Sequence, residues 1–401
     1  MVTYAASSKV FFRAFKETLV GHLAGVSGML AGFVIVWQLD LFHQSAWAVA
    51  VYPTVLTAMS VISGLFSGRL NTALHIGTVY PRFSGNIGTF YNLFQPVLAT
   101  TLTTSVMMSV FSMLFGSLFW GLAFANFAEI LIIVVATMSL GLIVYPFVLA
   151  ITFTVFKKGL DLDSVACPII TAIADLLVTI CYVLSLILFF NLGISGRYLV
   201  SFFAILPAIL VLFTLPRNVH KKEFTKPIVE SLLALTLMAF ITNITGSVLQ
   251  RIGAAANGRK EVLIAYPAMI EVVGDVGLVV SSTATTRLAL GLLKPSFSAI
   301  RKHVAPTWGA WMASASMFIY FSALSLMLTG AFSLCTFSIF ACMMLVSNVI
   351  AILAIVLISY ALAILTFHKG LDADHFVIPV ESSLAGVITS IALLAALLLI
   401  G

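Results

Sequence analysis

Four carboxylic acids, Asp175, Glu271, Asp275 and Glu381, lie inside long apolar stretches of the sequence. An ionisable side chain is costly within a membrane-spanning helix, so it usually faces the interior of a helix bundle and often marks the path of an ion. Glu271 and Asp275 are separated by one helical turn and therefore share one helix face. We take the four acids as candidate ligands of a metal cation.

Hydroxyl side chains near the acids extend this candidate site. Mg²⁺ is usually bound through one or two carboxylates while it keeps several waters, and Thr171 and Ser282 are placed to hydrogen-bond such waters. Two structural alternatives stay open. Asp175 can serve as a hydrogen-bonding group inside a helix bundle, and the Ser and Thr residues can allow helices to pack closely.

Helices that cross a membrane must position these residues. Of 401 residues, 61% are hydrophobic and 8% are charged, whereas soluble domains carry about 25% charged residues. The apolar runs are continuous, which disfavours a membrane β-barrel, and several exceed the roughly 20 residues that a helix needs to span a bilayer. We predict eleven spans: 18–38, 47–76, 91–120, 123–155, 166–191, 199–215, 227–248, 262–292, 307–329, 331–366 and 376–400.

The chain also contains an internal repeat. The motif Lys158-Gly-Leu-Asp-Leu-Asp163 is matched by Lys369-Gly-Leu-Asp-Ala-Asp374 at an offset of 211 (369 − 158). Tyr52-Pro53 is matched by Tyr266-Pro267 at an offset of 214 (266 − 52). Because the matches occur in the same order at nearly the same offset, they indicate a tandem duplication of a five-helix unit.

The sixth span connects the two copies and sets their orientation. Five spans leave the chain on the opposite side of the membrane, and a sixth returns it, so both copies insert in the same direction. We therefore expect an all-α integral membrane protein of two tandem five-helix repeats in a parallel pseudo-twofold arrangement. The first repeat is 1–192, the connecting transmembrane helix is 193–220, and the second repeat is 221–401.

The distribution of basic residues supports this topology. With a cytoplasmic N-terminus, sixteen of the 20 Lys and Arg residues fall in inner segments, and only Arg197, Arg251, Arg259 and Lys260 fall outside. This is the bias of the positive-inside rule. The net charge of +6 therefore reflects membrane orientation, and we do not expect nucleic acid as a partner. The sequence predicts a multi-pass protein of the cell membrane, embedded in the lipid bilayer.

Two groups of motifs resemble the membrane domain of MgtE-type magnesium transporters and the related solute carrier family 41. One is the basic-Gly-x-Asp-x-Asp motif at 158–163, followed by Pro168 and by Thr171-Ala-Ile-Ala-Asp175. The other consists of Pro53, followed along the chain by Arg69-Leu-Asn-Thr-Ala-Leu-His-Ile-Gly77. In the second repeat, the residues that correspond to the family pattern are Pro267, Gly274, Asp275 and Gly277. The resemblance covers both repeats.

The resemblance implies that the second and fifth helices of each repeat line a path for the cation between the two repeats. It also implies that Asp175, on a fifth helix, is the main Mg²⁺ ligand. The sequence departs from the family pattern in two places, because Ser60-Val61 replaces Gly-Asn in the first repeat and Gly386 replaces the acid of the second. We expect Glu271, Asp275 and Glu381 to compensate by approaching the same path as Asp175.

We therefore expect transport of divalent cations, Mg²⁺ above others, with Na⁺ or H⁺ as candidate coupling ions. A single chain would suffice as a fused pseudo-dimer, and no cofactor is expected besides the transported ion. The alternative is a proton- or sodium-coupled carrier of a small organic solute, although no span holds a Lys or Arg away from its ends to bind an anion. An enzyme is not expected, since the sequence has no HExxH or GxSxG motif.

Overall fold

The computed structural model describes residues 2–86, 90, 92–159, 166–289, 291, 293–296, 304–369 and 373–400. Two stretches of the repeat motif, 160–165 and 370–372, lie outside the described residues. The residues described form helices and turns and contain no strand. Eleven of these helices are long and apolar enough to cross a bilayer. The prediction of an all-α, multi-pass membrane protein is thereby confirmed.

The membrane-spanning helices are labelled α1 to α11 in chain order. Their bounds are Val10–Trp37, Ala46–Ile76, Phe94–Phe119, Phe124–Lys157, Ile169–Asn191, Gly193–Asn218, Ser231–Ala255, Lys260–Leu288, Thr307–Thr329, Leu334–Lys369 and Val380–Ile400. The complete helices reach further at Cys167–Asn191 in α5, Lys222–Ala255 in α7, Lys260–Ala289 in α8, Val304–Thr329 in α9 and Ala373–Ile400 in α11. A short helix, Leu39–His43, precedes α2.

The connecting helix α6 is longer than its apolar run. The sequence predicts a span at 199–215, whereas the helix covers Gly193–Asn218 and continues through Pro207 and Pro216. Proline is tolerated in membrane helices where other groups satisfy the backbone atoms that it leaves free. Only 11% of the most apolar stretch of α6 is buried against other parts of the protein, as expected for a helix that faces lipid.

Two of the spanning helices contain a 3₁₀ turn. The first, α1, begins before its spanning part, at Val2, and consists of Val2–His22, the turn Leu23–Gly25 and Val26–Trp37. In α4 the internal turn is Gly141–Ile143, and a further 3₁₀ turn, Phe124–Asn126, begins the helix. A 3₁₀ stretch inside a helix often marks a hinge or a functional position. In α1 this turn directly follows His22, whose side chain is buried.

The chain divides into two compact units. The discontinuous unit contains Met1–Val36 and Val248–Gly401, and the continuous unit contains Trp37–Ser247. These units do not coincide with the sequence repeats. The first helix of the first repeat, α1, belongs to the discontinuous unit together with α8 to α11. Most of α7, the first helix of the second repeat, belongs to the continuous unit. The repeat boundaries themselves remain a prediction from the sequence.

Within the discontinuous unit, α1 packs along α9 and crosses α8 closely. A Cβ atom at Gly32 would overlap the backbone carbonyl of Ile264 on α8. A Cβ atom at Gly309 on α9 would lie 2.7 Å from the carbonyl oxygen of Phe11. Small residues at such crossings allow helix backbones to approach each other in a membrane. These close approaches explain why α1 belongs to this unit.

Within the continuous unit, α7 makes the corresponding contact with α2. A Cβ atom at Gly246 would overlap the backbone carbonyl of Ala50, and these residues correspond to Gly32 and Ile264 at an offset of 214 (246 − 32; 264 − 50). Ser112 on α3 also donates a hydrogen bond of 2.8 Å to Asn243 Oδ1 on α7. The first helix of each repeat therefore packs, through a matching glycine, on a second helix of the unit that contains it.

Candidate functional site

A tyrosine–hydroxyl pair joins the second and fifth helices in each unit. Tyr52 OH on α2 lies 3.0 Å from Thr179 Oγ1 on α5, and Tyr266 OH on α8 lies 2.7 Å from Ser390 Oγ on α11. The pairs correspond at offsets of 214 (266 − 52) and 211 (390 − 179). Thr179 also donates a hydrogen bond of 2.7 Å to the main-chain carbonyl of Asp175. The Tyr52 pair thus fixes the turn of α5 that carries Asp175.

Asp175 lies at the contact between α5 and α2 in the continuous unit. The residue is 7% exposed, and its Oδ1 accepts a hydrogen bond from Ser60 Oγ on α2. Thr171 lies one turn earlier on α5 and is half-buried. Ser60 gives the carboxylate a hydrogen bond but no positive charge. A buried carboxylate is costly unless its charge is compensated, so this position is suited to a bound cation.

The corresponding position in the other repeat has neither member of this pair. Asp175 corresponds to Gly386 (175 + 211), and Ser60 corresponds to Gly274 (60 + 214). A Cβ atom at Gly274 would lie 3.5 Å from the Cβ of Ala385, so α8 and α11 are in ordinary contact there. The acid and its hydroxyl partner are therefore present together in one repeat and absent together in the other.

Glu381 is held by two serine hydroxyls in the discontinuous unit. The residue is fully buried. Its Oε1 accepts a hydrogen bond from Ser359 on α10, and its Oε2 accepts one of 2.8 Å from Ser281 on α8. A Cβ atom at Gly277 would lie 2.6 Å from Oε1, so the glycine leaves room for the carboxylate. Glu381 thereby joins α8, α10 and α11.

Replacing Ser281 with alanine should destabilise the protein, because the buried carboxylate of Glu381 loses a donor. Interhelical hydrogen bonds in membrane proteins contribute about 0.6–2 kcal/mol, and we expect a loss of that size. The matched control is Ser282→Ala, since Ser282 is exposed on the same turn of α8. Its effect should stay below about 0.5 kcal/mol. Unfolding of the purified variants in SDS measures both, and equal effects would show that Ser281 does not hold Glu381.

Glu271 and Asp275 face α1 in the discontinuous unit. The Oδ2 atom of Asp275 lies 3.8 Å from Nε2 of His22, whose side chain is fully buried, whereas the side chain of Asp275 is 27% exposed. A Cβ atom at Gly28 would lie 3.2 Å from Oε2 of Glu271, and one at Gly25 would lie 3.7 Å from it. The two acids therefore line the α1–α8 contact, near the 3₁₀ turn of α1.

The structure thus divides the six candidate residues between the units. Glu271, Asp275, Glu381 and Ser282 lie in the discontinuous unit, and Asp175 and Thr171 lie in the continuous unit. The convergence of all four acids on one path remains a prediction. In the residues that the structure describes, no three or more His, Cys, Asp or Glu side chains form a group that could hold a metal ion. Each location therefore offers one or two carboxylates, as in sites for hydrated Mg²⁺.

The partners of these acids were not predicted from the sequence. Ser60, Ser281 and Ser359 each donate a hydrogen bond to a buried carboxylate. His22 faces Asp275. A histidine inside the first apolar run is a detectable signal, because ionisable residues in a span are rarely without a role. The serines carry no such signal, since hydroxyl residues are common wherever membrane helices pack.

A polytopic helical fold with several carboxylates buried in its spans is characteristic of proteins that move ions across membranes. Comparison with known families gives the same class. Residues 52–185 match the family model for MgtE, a divalent cation transporter. The matched segment contains Ser60, Thr171 and Asp175.

The resemblance inferred from the sequence is therefore confirmed over this segment. Divalent-cation transport is supported as the general function, because the matched family is one of transporters. No curated protein and no solved structure matches the chain.

Proposed function

We propose that the protein transports divalent metal cations, with Mg²⁺ as the preferred cargo, across the cell membrane. The observation that carries the proposal is the position of Asp175. Its carboxylate is buried, receives a hydrogen bond from Ser60, and lies in the segment that matches the divalent cation transporter family. The second and fifth helices of each repeat, α2, α5, α8 and α11, are the proposed lining of the path.

The electrostatic reason is the cost of an isolated buried charge. A carboxylate in an apolar helix bundle is destabilised unless a positive charge lies beside it, and a divalent cation supplies that charge. Mg²⁺ fits this position because it needs only one or two carboxylates and keeps several of its waters. In the proposal, Asp175 is the main ligand, and Thr171 hydrogen-bonds a water of the ion.

In this proposal, the second repeat binds the cation through three acids that replace the one missing at Gly386. They are Glu271, Asp275 and Glu381, with Ser282 as a supporting hydroxyl. Two of the three, Asp275 and Glu271, are only partly buried. They are therefore suited to attract an ion, whereas the enclosed Glu381 is suited to hold one. We further propose that the N-terminus is cytoplasmic and that a single chain suffices for transport. If transport is active, Na⁺ or H⁺ is the proposed coupling ion.

The proposal is tested by reconstituting the purified protein into liposomes that contain a Mg²⁺-sensitive dye. We expect protein-dependent Mg²⁺ uptake that saturates with external Mg²⁺. Acceleration of uptake by an imposed Na⁺ or H⁺ gradient would identify the coupling ion. Empty liposomes provide the control. If the protein moves neither Mg²⁺ nor Mn²⁺ or Co²⁺ under any of these gradients, the proposed function is wrong.

A further inference from the structure

His22 is a buried histidine whose ring nitrogens lack hydrogen bonds. The residue is 1% exposed, and neither Nδ1 nor Nε2 has a hydrogen-bond partner among the described residues. A buried polar group without a partner destabilises the fold. The acid that faces the imidazole ring is Asp275, whose Oδ2 lies 3.8 Å from Nε2. That distance is too long for a hydrogen bond.

The separation of these two atoms suits a metal ion between them. Imidazole nitrogen and carboxylate oxygen bind Zn²⁺ at about 2.0–2.2 Å in tetrahedral sites, so two such ligands of one ion lie about 3.4 Å apart. The 3.8 Å between Nε2 and Oδ2 exceeds this spacing by about 0.4 Å, a difference within the reach of a side-chain rotation. The side chain of Asp275 is 27% exposed, so this side of the pair is not fully enclosed by the described residues.

Glu271 and the glycines of α1 complete the surroundings. Glu271 lies one turn before Asp275, and its carboxylate lies against Gly25 and Gly28, where a Cβ atom would come within 3.7 and 3.2 Å of Oε2. Among the residues described, no group of three such ligands could share one ion. An ion at this place would have His22 and Asp275 as its direct ligands and waters in the remaining positions, with Glu271 one helical turn away.

The other repeat shows that this cluster is not required for helix packing. At the offset of 214, which also relates Gly32 to Gly246, the residues that correspond to His22, Glu271 and Asp275 are Thr236 (22 + 214), Thr57 (271 − 214) and Val61 (275 − 214). The contact between the same two helices is kept there through Gly246 and Ala50. All three ionisable side chains are thus specific to one copy of a shared contact.

We infer that His22 and Asp275, assisted by Glu271, form a second cation site that binds Co²⁺ or Zn²⁺ in preference to Mg²⁺. Imidazole is a ligand for such transition metals, whereas Mg²⁺ and Ca²⁺ prefer oxygen alone. The inference rests on the proposed function, because it takes two of the acids that were assigned there to the second repeat, Asp275 and Glu271, and refines their preferred ion from Mg²⁺ to a transition metal. It assigns to His22 the choice between these two classes of ion.

The test is Co²⁺ binding to the purified protein, freed of any affinity tag and followed by the visible absorption of the metal. We expect His22→Gln to weaken Co²⁺ binding at least about tenfold, because loss of even an outer-shell partner costs 10–100-fold in metal affinity. The matched control is His75→Gln, which removes an exposed imidazole at the end of α2 and should leave binding unchanged. Mg²⁺ should displace Co²⁺ from the wild-type protein only at large excess.

Asp275→Asn provides a second variant, for which we expect the same loss of Co²⁺ affinity. If purified His22→Gln is not monodisperse, Asp275→Asn is the variant that tests the inference. Wild-type affinity and an unchanged spectrum in the decisive variant would overturn the inference. Absence of Co²⁺ binding to the wild-type protein would do so too. Because binding is measured without transport, His22-dependent binding in a protein that moves no cation would remove the proposed function and leave the site standing.

Discussion

Replacing Gly246 with alanine should lower the thermal stability of the protein, whereas replacing Gly253 on the same helix should not. A Cβ atom at Gly246 would overlap the backbone carbonyl of Ala50, while one at Gly253 would meet nothing within 4 Å. Backbone cannot move aside as a flexible side chain can, so α7 must shift away from α2. Overpacking of this kind costs about 1–3 kcal/mol or more. An alanine at an exposed helix position instead gains about 0.5–1 kcal/mol over glycine.

The same comparison can be made in the discontinuous unit. Gly32→Ala should destabilise the protein as Gly246→Ala does, because a Cβ atom there would overlap the carbonyl of Ile264. Gly21 lies on the same helix with nothing within 4 Å and provides the control. Thermal unfolding in detergent, followed by the fluorescence of a thiol-reactive dye, measures all four variants. If Gly246→Ala and Gly253→Ala melt at the same temperature, the close contact of α7 with α2 is wrong.

Asp175→Asn should abolish most divalent-cation transport in a protein that folds normally. Asparagine preserves the size of the side chain and an oxygen that can accept the hydrogen bond from Ser60, but it removes the negative charge. In a low-dielectric site, one charge on a divalent ion's ligand is worth several kcal/mol, and about 1.4 kcal/mol corresponds to tenfold in affinity. We therefore expect Mg²⁺ uptake by the variant to fall at least about tenfold at equal protein density.

The matched control for this variant is Glu129→Gln. Glu129 is a half-buried acid near the start of α4, and its replacement changes the net charge of the chain by the same amount. It should retain wild-type uptake. Equal losses in the two variants would indicate an effect of overall charge. Wild-type uptake in well-folded Asp175→Asn would remove Asp175 from the site.

Much of the fold was predictable, because membrane-spanning helices are read from the length of an apolar run. The eleven spans follow from the length and composition of the apolar runs alone. The extent of α6 was underestimated at 199–215, because Pro207 and Pro216 obscure a helix that continues to Asn218. Prolines end helices in water more often than in membranes, where neighbouring groups can satisfy the freed carbonyls.

The sequence did not predict which helices belong to each of the two units. Sequence order assigns α1 to the first repeat, yet it packs with α8 and α9, because its glycines allow a close approach to those helices. The equal offset of Gly32 and Gly246 was visible in the sequence, but only the backbone contacts give it meaning. Helix pairing at this level depends on surface shape, which composition does not reveal.

The candidate site was predicted in part. Burial of Asp175 and Glu381 follows from their apolar surroundings, and the structure places both away from solvent. The donors that hold them come from other helices, at separations of 115 residues for Ser60 and 100 for Ser281. Such pairings require the tertiary arrangement. His22 lies opposite Asp275 because α1, which sequence order assigns to the first repeat, packs in the unit that contains α8.

The central claim, that Asp175 holds the transported cation, is tested most directly by infrared difference spectroscopy of the carboxylates. Purified protein in lipid is perfused with and without Mg²⁺, and the carboxylate stretching bands are compared between wild type and Asp175→Asn. Ionisation and metal coordination both shift these bands. We expect a saturable Mg²⁺-induced band in the wild-type protein that is missing from the Asp175→Asn spectrum. An identical Mg²⁺-induced difference spectrum in the two proteins would contradict the claim, because the cation would then be bound elsewhere.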